Sequence, residues 1–271
     1  MASAVELATG FFESIDGGFA ALEAARGPWR PDSIGGQALT ALAARELEQH
    51  CPIESAGCRL TLDFIRPTTF DAIQARTELL RSSTRLALLQ LDLIQSDHVV
   101  VRASALFVRP LEADQAEGNA WTPTPDFSRP GIVDPAAATT PGSMISSAGY
   151  PNDWSAVFAD HRNNARKRMW TTTMIPAIAG EKSTPFTRVA TLAEATSFVT
   201  NWSEAGVPFI NADVTLNLYR MPESDGLGLE SNGQHAAAGV AVGSATLYDE
   251  FGVLGVSSVT AVANTHRQVH F

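Results

Sequence analysis

The sequence contains no run long and apolar enough to cross a membrane as a helix, since no window approaches the ~20 apolar residues required. The start, Met1-Ala-Ser-Ala-Val-Glu-Leu, lacks the basic residues and apolar core of a secretory signal. Cysteine is scarce, with only Cys51 and Cys58. We therefore expect a cytoplasmic protein with two reduced thiols, a single disulfide between them being the alternative.

Basic residues are also scarce. The chain has 19 Lys and Arg against 29 Asp and Glu, which gives a formal charge of −10 at pH 7. Nucleic-acid binding relies on clustered Lys and Arg side chains, so a nucleic-acid partner is not expected. One segment, 162–168, is an exception. It is either a solvated face or a binding place for a phosphorylated ligand, and it contains Arg162, Arg166, Lys167 and Arg168.

Several catalytic motifs are missing. There is no Gly-x-Ser-x-Gly nucleophile motif, no Gly-x-Gly-x-x-Gly fingerprint and no phosphate-binding loop. Among the histidines only His266 and His270 have a ligand-like spacing, and they lie at the end of the sequence. We therefore expect neither an esterase with a serine on a strand-to-helix turn nor a metal site.

What the sequence does contain is an internal duplication. The strand-like run that begins at Leu60 matches the run that begins at Val214, and the run at Val99 matches the run at Val253. Both pairs are 154 positions apart, the difference between 214 and 60 and between 253 and 99. The repeated unit is too long for a solenoid repeat, so the chain consists of two related halves.

The apolar pattern of each half indicates one helix followed by antiparallel strands. Such an order predicts an α+β unit whose helix covers one face of a sheet. The first unit spans 1–110, a linker rich in Pro, Ala, Thr, Ser and Gly spans 111–150, and the second unit spans 151–271. In the first unit the predicted helix is 34–47 and the strands are 58–66, 72–81, 87–96 and 99–108. In the second unit a strand region at 156–175 precedes a helix at 191–202, and further strands follow at 209–220, 226–230, 236–249 and 253–263.

Two places carry polar chemistry. Asp213 begins an apolar strand, where a carboxylate is unfavourable unless it is paired or functional. It is either a strand-end Asp bonded to backbone amides or a catalytic group. Gly35 and Gly36 at the start of the first helix let a ligand approach its free amides, unless they only allow tight packing. Because Arg59 occupies the place of Asp213 in the first half, one site per chain is expected.

The helix start Gly35-Gly36-Gln37, the strand end Phe64-Ile65-Arg66-Pro67 and the second-half runs 209–215 and 247–252 resemble those of the acyl-CoA thioesterases of the double hotdog fold, bacterial type II thioesterase-like. The resemblance implies two tandem hotdog units, each a long helix wrapped by an antiparallel sheet. It also implies a role in lipid metabolism, namely hydrolysis of a fatty acyl-CoA to free acid and CoA. No metal or covalent cofactor is implied, CoA being part of the substrate and product, and the expected assembly is a dimer of double hotdogs.

The resemblance also implies site residues. Asp213 falls on the family's Asp, which activates water. The family's hydroxyl position falls at Asn232 or Gly233, flanked by Ser231 and Gln234, and its Gln position falls at Thr260. Substrate binding is implied for the residues of the helix start and strand end, Gly35, Gly36, Gln37 and Arg66.

Two other functions stay open at this point. Because two polar positions differ from the family pattern, one alternative is a protein that binds acyl-CoA or an acyl carrier without hydrolysing it. The other is a hydratase or dehydratase, a chemistry that needs a His beside the acid, for which only His235 is suitably placed.

Overall fold

The computed structural model describes residues 10–111, 130, 142–149 and 154–264; His266 and His270 lie outside the described residues. The first half contains helix α1 (Gly36–Gln49) and strands β1 (Phe12–Ile15), β2 (Gly18–Ala21), β3 (Ala56–Phe64), β4 (Gln74–Ser82), β5 (Leu86–Gln95) and β6 (His98–Val108). The second half contains strands β7 (Ser143–Ser147) and β8 (Lys167–Thr171), helices α2 (Pro185–Glu194) and α3 (Thr196–Asn201), and strands β9 (Phe209–Asn211), β10 (Asp213–Leu218), β11 (Leu227–Ala237), β12 (Val240–Asp249) and β13 (Gly252–Ala263).

Eleven of the described strands form one antiparallel sheet in the order β4-β5-β6-β3-β10-β13-β12-β11-β8-β7, with β9 added beside β13. The two halves join where β3 pairs with β10. Helix α1 packs against α2, and the helices cover one face of the sheet. This is the expected double hotdog, since each half wraps its sheet around its own helix.

The duplication in the sequence reappears in the pairing of the strands. Thr61 lies directly opposite Thr215 where the halves join. On the next strands, Thr61 pairs with Ser104 and Thr215 pairs with Ser258. Both equivalent pairs keep the offset of 154 positions found in the sequence, because 215 minus 61 and 258 minus 104 give the same value. The halves are therefore related by an approximate two-fold axis near Thr61 and Thr215.

The first unit matches its prediction closely. Helix α1 is rich in Ala and Leu, and Leu39, Leu42 and Leu47 on one side are buried. The predicted hairpin between β5 and β6 turns at Ser96 and Asp97, both with positive φ. Such a pair of positive φ angles matches the right-handed twist of the flanking strands.

The second unit departs from its prediction at several places. The helical region begins at Pro185 rather than 191, because Thr184 caps it and Pro185 occupies its first position. Strand β7 lies inside the predicted linker and pairs with β8. Strand β11 extends to Ala237, well beyond 230, because a bulge at Ser231–Gly233 interrupts the alternation that would have revealed it.

Side chains from both halves also meet away from the sheet. Arg45 of α1 forms a bidentate ion pair with Glu181 of the second half, in which Arg45 Nε lies 2.9 Å from Glu181 Oε2.

Cys51 and Cys58 are both free thiols, so the alternative of a disulfide between them is wrong. No helix in the described ranges is long and apolar enough to span a bilayer.

Candidate functional site

A cavity of about 530 Å³ opens at the N-terminus of α1 and is built by both halves. The first half contributes Gly35, Gly36, Gln37 and Ala38, the start of the helix. The second half contributes Glu194 and Asn211. Apolar side chains form most of the remaining wall, among them Phe11, Trp29, Phe158, Met169, Met174, Ile175, Leu192, Phe198 and Val207.

The start of α1 presents free amide donors to this cavity. The N-cap is Gly35, which offers no side chain to bond the first-turn amides. Leu39 is the first residue whose N–H bonds back into the helix, to the carbonyl of Gly35. The N–H groups of Gly36, Gln37 and Ala38 therefore lack intrahelical acceptors and carry the partial positive charge of a helix N-terminus.

Glu194, the last residue of α2, faces these amides. A Cβ atom at position 36 would lie 2.3 Å from Glu194 Oε1, so the carboxylate packs directly on the Cα of Gly36. Burial raises the pKa of Glu194 to about 7, while a hydrogen bond from Asn211 acts in the opposite direction. The cavity thus holds a carboxylate that titrates near neutrality beside unpaired backbone donors.

The equivalent place in the other half is closed. The helices match with an offset of 150, the difference between Leu192 and Leu42, so Phe186 takes the place of Gly36 and Ala44 that of Glu194. Phe186 is buried, and its ring fills the space beside Gly57. Asymmetry at the two helix starts therefore leaves one open site in the described part of the chain.

The start of α2 is also capped by a side chain. Thr187 donates its N–H to Thr184 Oγ1 at 3.1 Å, and the Thr184 hydroxyl donates to the Glu48 carboxylate. The amide that would face a ligand at α1 is thus satisfied within the protein at α2.

The structure places Asp213 and Thr260 away from the cavity. On β10, Asp213 alternates with the buried Val214 and Leu216 that face the helices, so its side chain lies on the opposite face of the sheet. Its carboxylate accepts the N–H of Thr260 at 2.7 Å. This is the geometry of the strand-end alternative, and the catalytic role of Asp213 stays a prediction.

Asn232 and Gln234 are separated by the bulge in β11. Asn232 is exposed and accepts a hydrogen bond from the Thr246 hydroxyl at 3.0 Å. Gln234 instead bonds Asn201, a buried residue of α3, at 3.3 Å. Neither lines the cavity.

The other predicted residues divide in the same way. Gly35, Gly36 and Gln37 line the cavity, whereas Arg66 is exposed beyond the end of β3 and does not. His235 is exposed on β11 and, within the described residues, has no contact with Asp213 that would support a hydratase. Across the described ranges no three His, Cys, Asp or Glu side chains cluster as metal ligands; the cofactor requirement stays a prediction.

The basic segment is tied into the fold. Lys167 is buried and donates to the carbonyls of Asn163 and Ala165, each at 2.6 Å. Arg166 pairs with Glu230 at 3.0 Å. The binding-place alternative for this segment is not supported by these contacts, since they organise the loop before β8.

Two family models account for most of the chain. Residues 25–108 match the acyl-CoA thioesterase N-terminal domain, and residues 109–262 match the acyl-CoA thioesterase C-terminal domain. The chain belongs to the acyl-CoA thioesterase family. Membership identifies a thioester hydrolase at the level of the family. A search of curated proteins gives no match.

Solved structures agree with this thioesterase fold. A conserved protein of unknown function with a hot dog fold from Alicyclobacillus acidocaldarius superposes with a TM-score of 0.71 at 14% identity, covering 98% of this chain and 100% of that one. A putative thioesterase II from Thermobifida fusca gives 0.66 at 16% identity, with coverage of 97% and 99%. The tesB protein of Mycobacterium avium subsp. paratuberculosis gives 0.63 at 15% identity, with coverage of 96% and 98%. At these identities the likeness shows the fold.

Glu194 and Asn211 are not among the site residues predicted from the sequence. A signal for Glu194 was present, because the duplication aligns Leu42-Ala43-Ala44 with Leu192-Ala193-Glu194 and so sets an acid against an alanine in a buried helix. Burying an unpaired carboxylate is energetically unfavourable. An acid in one copy of the helix, where the other copy has an alanine, therefore indicates a candidate functional residue. Asn211 has no comparable signal, since polar residues at strand ends are common.

Proposed function

We propose that this thioesterase-family protein hydrolyses an acyl-CoA to free acid and CoA, with Glu194 activating the water. The observation that carries the proposal is the Glu194 carboxylate packed on the start of α1, where Gly36 and Gln37 present free amides. A base and a set of oxyanion donors thus face the same cavity.

The proposed reaction proceeds in two steps. The thioester carbonyl oxygen accepts hydrogen bonds from the first-turn amides of α1, which stabilise the negative charge that develops on it. Glu194 takes a proton from water as the water oxygen bonds to the carbonyl carbon. The tetrahedral intermediate then re-forms the carbonyl, the C–S bond breaks, and the proton held by Glu194 passes to the departing CoA sulfur.

The charge state of Glu194 suits this task. With a pKa of about 7, a substantial fraction is ionised at neutral pH, and its conjugate acid is strong enough to protonate the leaving thiolate. An ordinary exposed carboxylate would be fully ionised but a weaker base. Burial against Gly36 and the apolar wall is what raises its basicity.

The walls of the cavity fit the acyl half of the substrate. Phe158 and Phe198 stack at a centroid distance of 5.8 Å, and Phe198 follows Glu194 by about one turn of helix. An acyl chain whose carbonyl sits at the start of α1 would extend along this apolar surface and lose its contact with water. The charged CoA portion would stay at the mouth of the cavity.

The first experiment follows release of free thiol from short-, medium- and long-chain acyl-CoAs. Glu194→Gln keeps the shape of the side chain and removes the base, so kcat should fall ~100-fold or more. Asp213→Asn is compared because the resemblance assigns the base to Asp213; loss in that variant with retention in Glu194→Gln would overturn the present assignment. Asp63→Asn, an exposed acid opposite Asp213 in the sheet, is the matched control.

The pH profile of the wild type provides a second readout. Glu194 must be ionised to accept a proton, so kcat/KM should fall as pH decreases through about 7, the pKa of its carboxyl. If kcat/KM fell instead at pH ~4.3, the pKa of an ordinary glutamate, this result would contradict the assignment of Glu194 as the base. If the wild type releases no thiol although acyl-CoA raises its melting temperature, the binding-protein alternative replaces hydrolysis.

A further inference from the structure

The apolar wall of the cavity contains a pair of hydroxyl groups. Ser143 of β7 lies directly opposite Thr171 of β8, and both residues line the cavity. Thr171 points to the same face of β8 as Met169, because side chains two residues apart in a strand share a face. Trp170, between them, points to the opposite face, where its ring centroid lies 5.9 Å from that of Tyr248. The hydroxyl pair is therefore part of the same wall as Met169.

This wall lies beside the surface that fits the acyl chain. Met169 and Phe158 both line the cavity, and the short helical turn that carries Phe158 packs against β7. Phe158 in turn stacks on Phe198, which forms the apolar surface along which the proposed function places the acyl chain. A polar group on that chain would therefore meet the hydroxyl pair on the strands beside it.

The hydrogen bonds of the pair run in one direction. The Thr171 hydroxyl donates to the carbonyl of Thr173 at 2.9 Å, since a carbonyl oxygen can only accept. Its single hydrogen is thus used, so the Ser143 hydroxyl donates to Thr171 Oγ1 at 3.0 Å. Ser143 is only 3% exposed, and no donor from the described residues bonds its Oγ. The cavity wall therefore holds a buried oxygen that can accept a hydrogen bond but has no hydrogen left to donate.

We infer that Ser143 is a specificity-determining residue that accepts a hydrogen bond from a hydroxyl group on the acyl chain, so that the preferred substrate is a hydroxyacyl thioester. An unsubstituted chain would leave the Ser143 oxygen without a donor in an apolar wall, which is unfavourable for a buried polar atom. A keto group at the same carbon would place a second acceptor against the first and gain nothing. This inference rests on the proposed function, which sets the place of the acyl chain.

The experiment measures kcat/KM for octanoyl-CoA and for its hydroxy and oxo derivatives, substituted at successive carbons of the chain. In the wild type one hydroxy isomer should exceed octanoyl-CoA by ~10-fold, the effect of about one buried hydrogen bond, and the matching oxo isomer should not. In Ser143→Ala the ratio of hydroxy isomer to octanoyl-CoA should fall to about one. Ser258→Ala on β13, which alternates with the buried Ser257 and Val259, is the matched control and should keep the wild-type ratio.

A second variant tests the direction of the hydrogen bonds. Thr171→Val keeps the shape of the side chain and removes the acceptor of the Ser143 hydrogen, which frees that hydroxyl to donate. The oxo isomer should then rival the hydroxy isomer, a change that a purely structural role of the pair would not produce. Equal preference for the two isomers in the wild type, or a hydroxy preference retained in Ser143→Ala, would overturn the inference.

Dissociation constants separate this inference from the proposed hydrolysis. They are measured by calorimetry on Glu194→Gln, which leaves Ser143 and Thr171 in place, with octanoyl-CoA and each hydroxy isomer. Binding of one hydroxy isomer ~10-fold tighter than octanoyl-CoA would support the inference even if the wild type released no thiol, and only the proposed hydrolysis would then fail. Equal dissociation constants would overturn the inference, while thiol release by wild type and Glu194→Gln would still decide the proposed function.

Discussion

Position 36 shows how one missing side chain creates the site. Gly36 has an ordinary helical backbone, so an alanine there is conformationally acceptable and even favours the helix. Its Cβ would nevertheless lie 2.3 Å from Glu194 Oε1 and 3.1 Å from the Phe64 ring. The flexible carboxylate is the group that would move. We predict that Gly36→Ala lowers kcat ~100-fold while its free energy of unfolding stays within ~1 kcal/mol of the wild type.

This prediction is checked by thiol release together with urea unfolding. Gly233→Ala is the matched control, because a Cβ at position 233 meets no atom within 4 Å. Wild-type activity in Gly36→Ala would show that the close contact with Glu194 has no catalytic role. A large loss of stability would show instead that the helix start cannot adjust.

At the scale of elements, the two principal helices begin differently, with an uncapped glycine at α1 and a capping threonine at α2. Thr184→Ala removes the acceptor of the Thr187 amide and the hydrogen bond to Glu48. We predict a loss of about 1 kcal/mol in the free energy of unfolding, with kcat and KM unchanged, because this helix start is not part of the open site.

Thr184→Ser keeps the hydroxyl and serves as the control, for which wild-type stability is expected. Urea titration and thiol release measure the two effects separately. A drop in kcat/KM in Thr184→Ala matching that of a site variant would argue against a single open site and would place a second one at α2.

For the whole molecule, the shared sheet and the packing of α1 on α2 predict that the halves unfold together. Leu42 is fully buried in the first half, so Leu42→Ala should cost about 2 to 5 kcal/mol. In a background that carries Trp29→Phe and Trp121→Phe, the remaining Trp154, Trp170 and Trp202 report on the second half. We predict that their fluorescence transition shifts to lower urea by the same amount as the circular dichroism of the whole chain.

The matched control is Val256→Ala, an exposed position on the outer face of the second half, which should leave both transitions in place. Two separate transitions in Leu42→Ala, with the fluorescence midpoint unchanged, would show that the halves are independent folding units. The site would then form between two domains rather than within one cooperative structure.

The fold was largely predictable because it depends on patterns that act along the chain. Alternating apolar residues predicted most strands, the Ala- and Leu-rich run predicted α1, and the offset of 154 predicted the equivalence of Thr61 with Thr215. Prediction was weaker where local order is broken. The bulge in β11 hid the alternation, and β7 is a short strand in a segment whose composition suggests a linker.

By itself, the sequence determined the two related halves, the antiparallel sheet and the glycine-bearing helix start that lines the cavity. Only the tertiary structure decided which carboxylate faces that start. Asp213 and Glu194 both sit at the ends of apolar elements, but strand alternation turns Asp213 to the outer face, while the packing of α2 against α1 brings Glu194 onto Gly36. That contact joins residues from different halves, so no pattern local to either one encodes it.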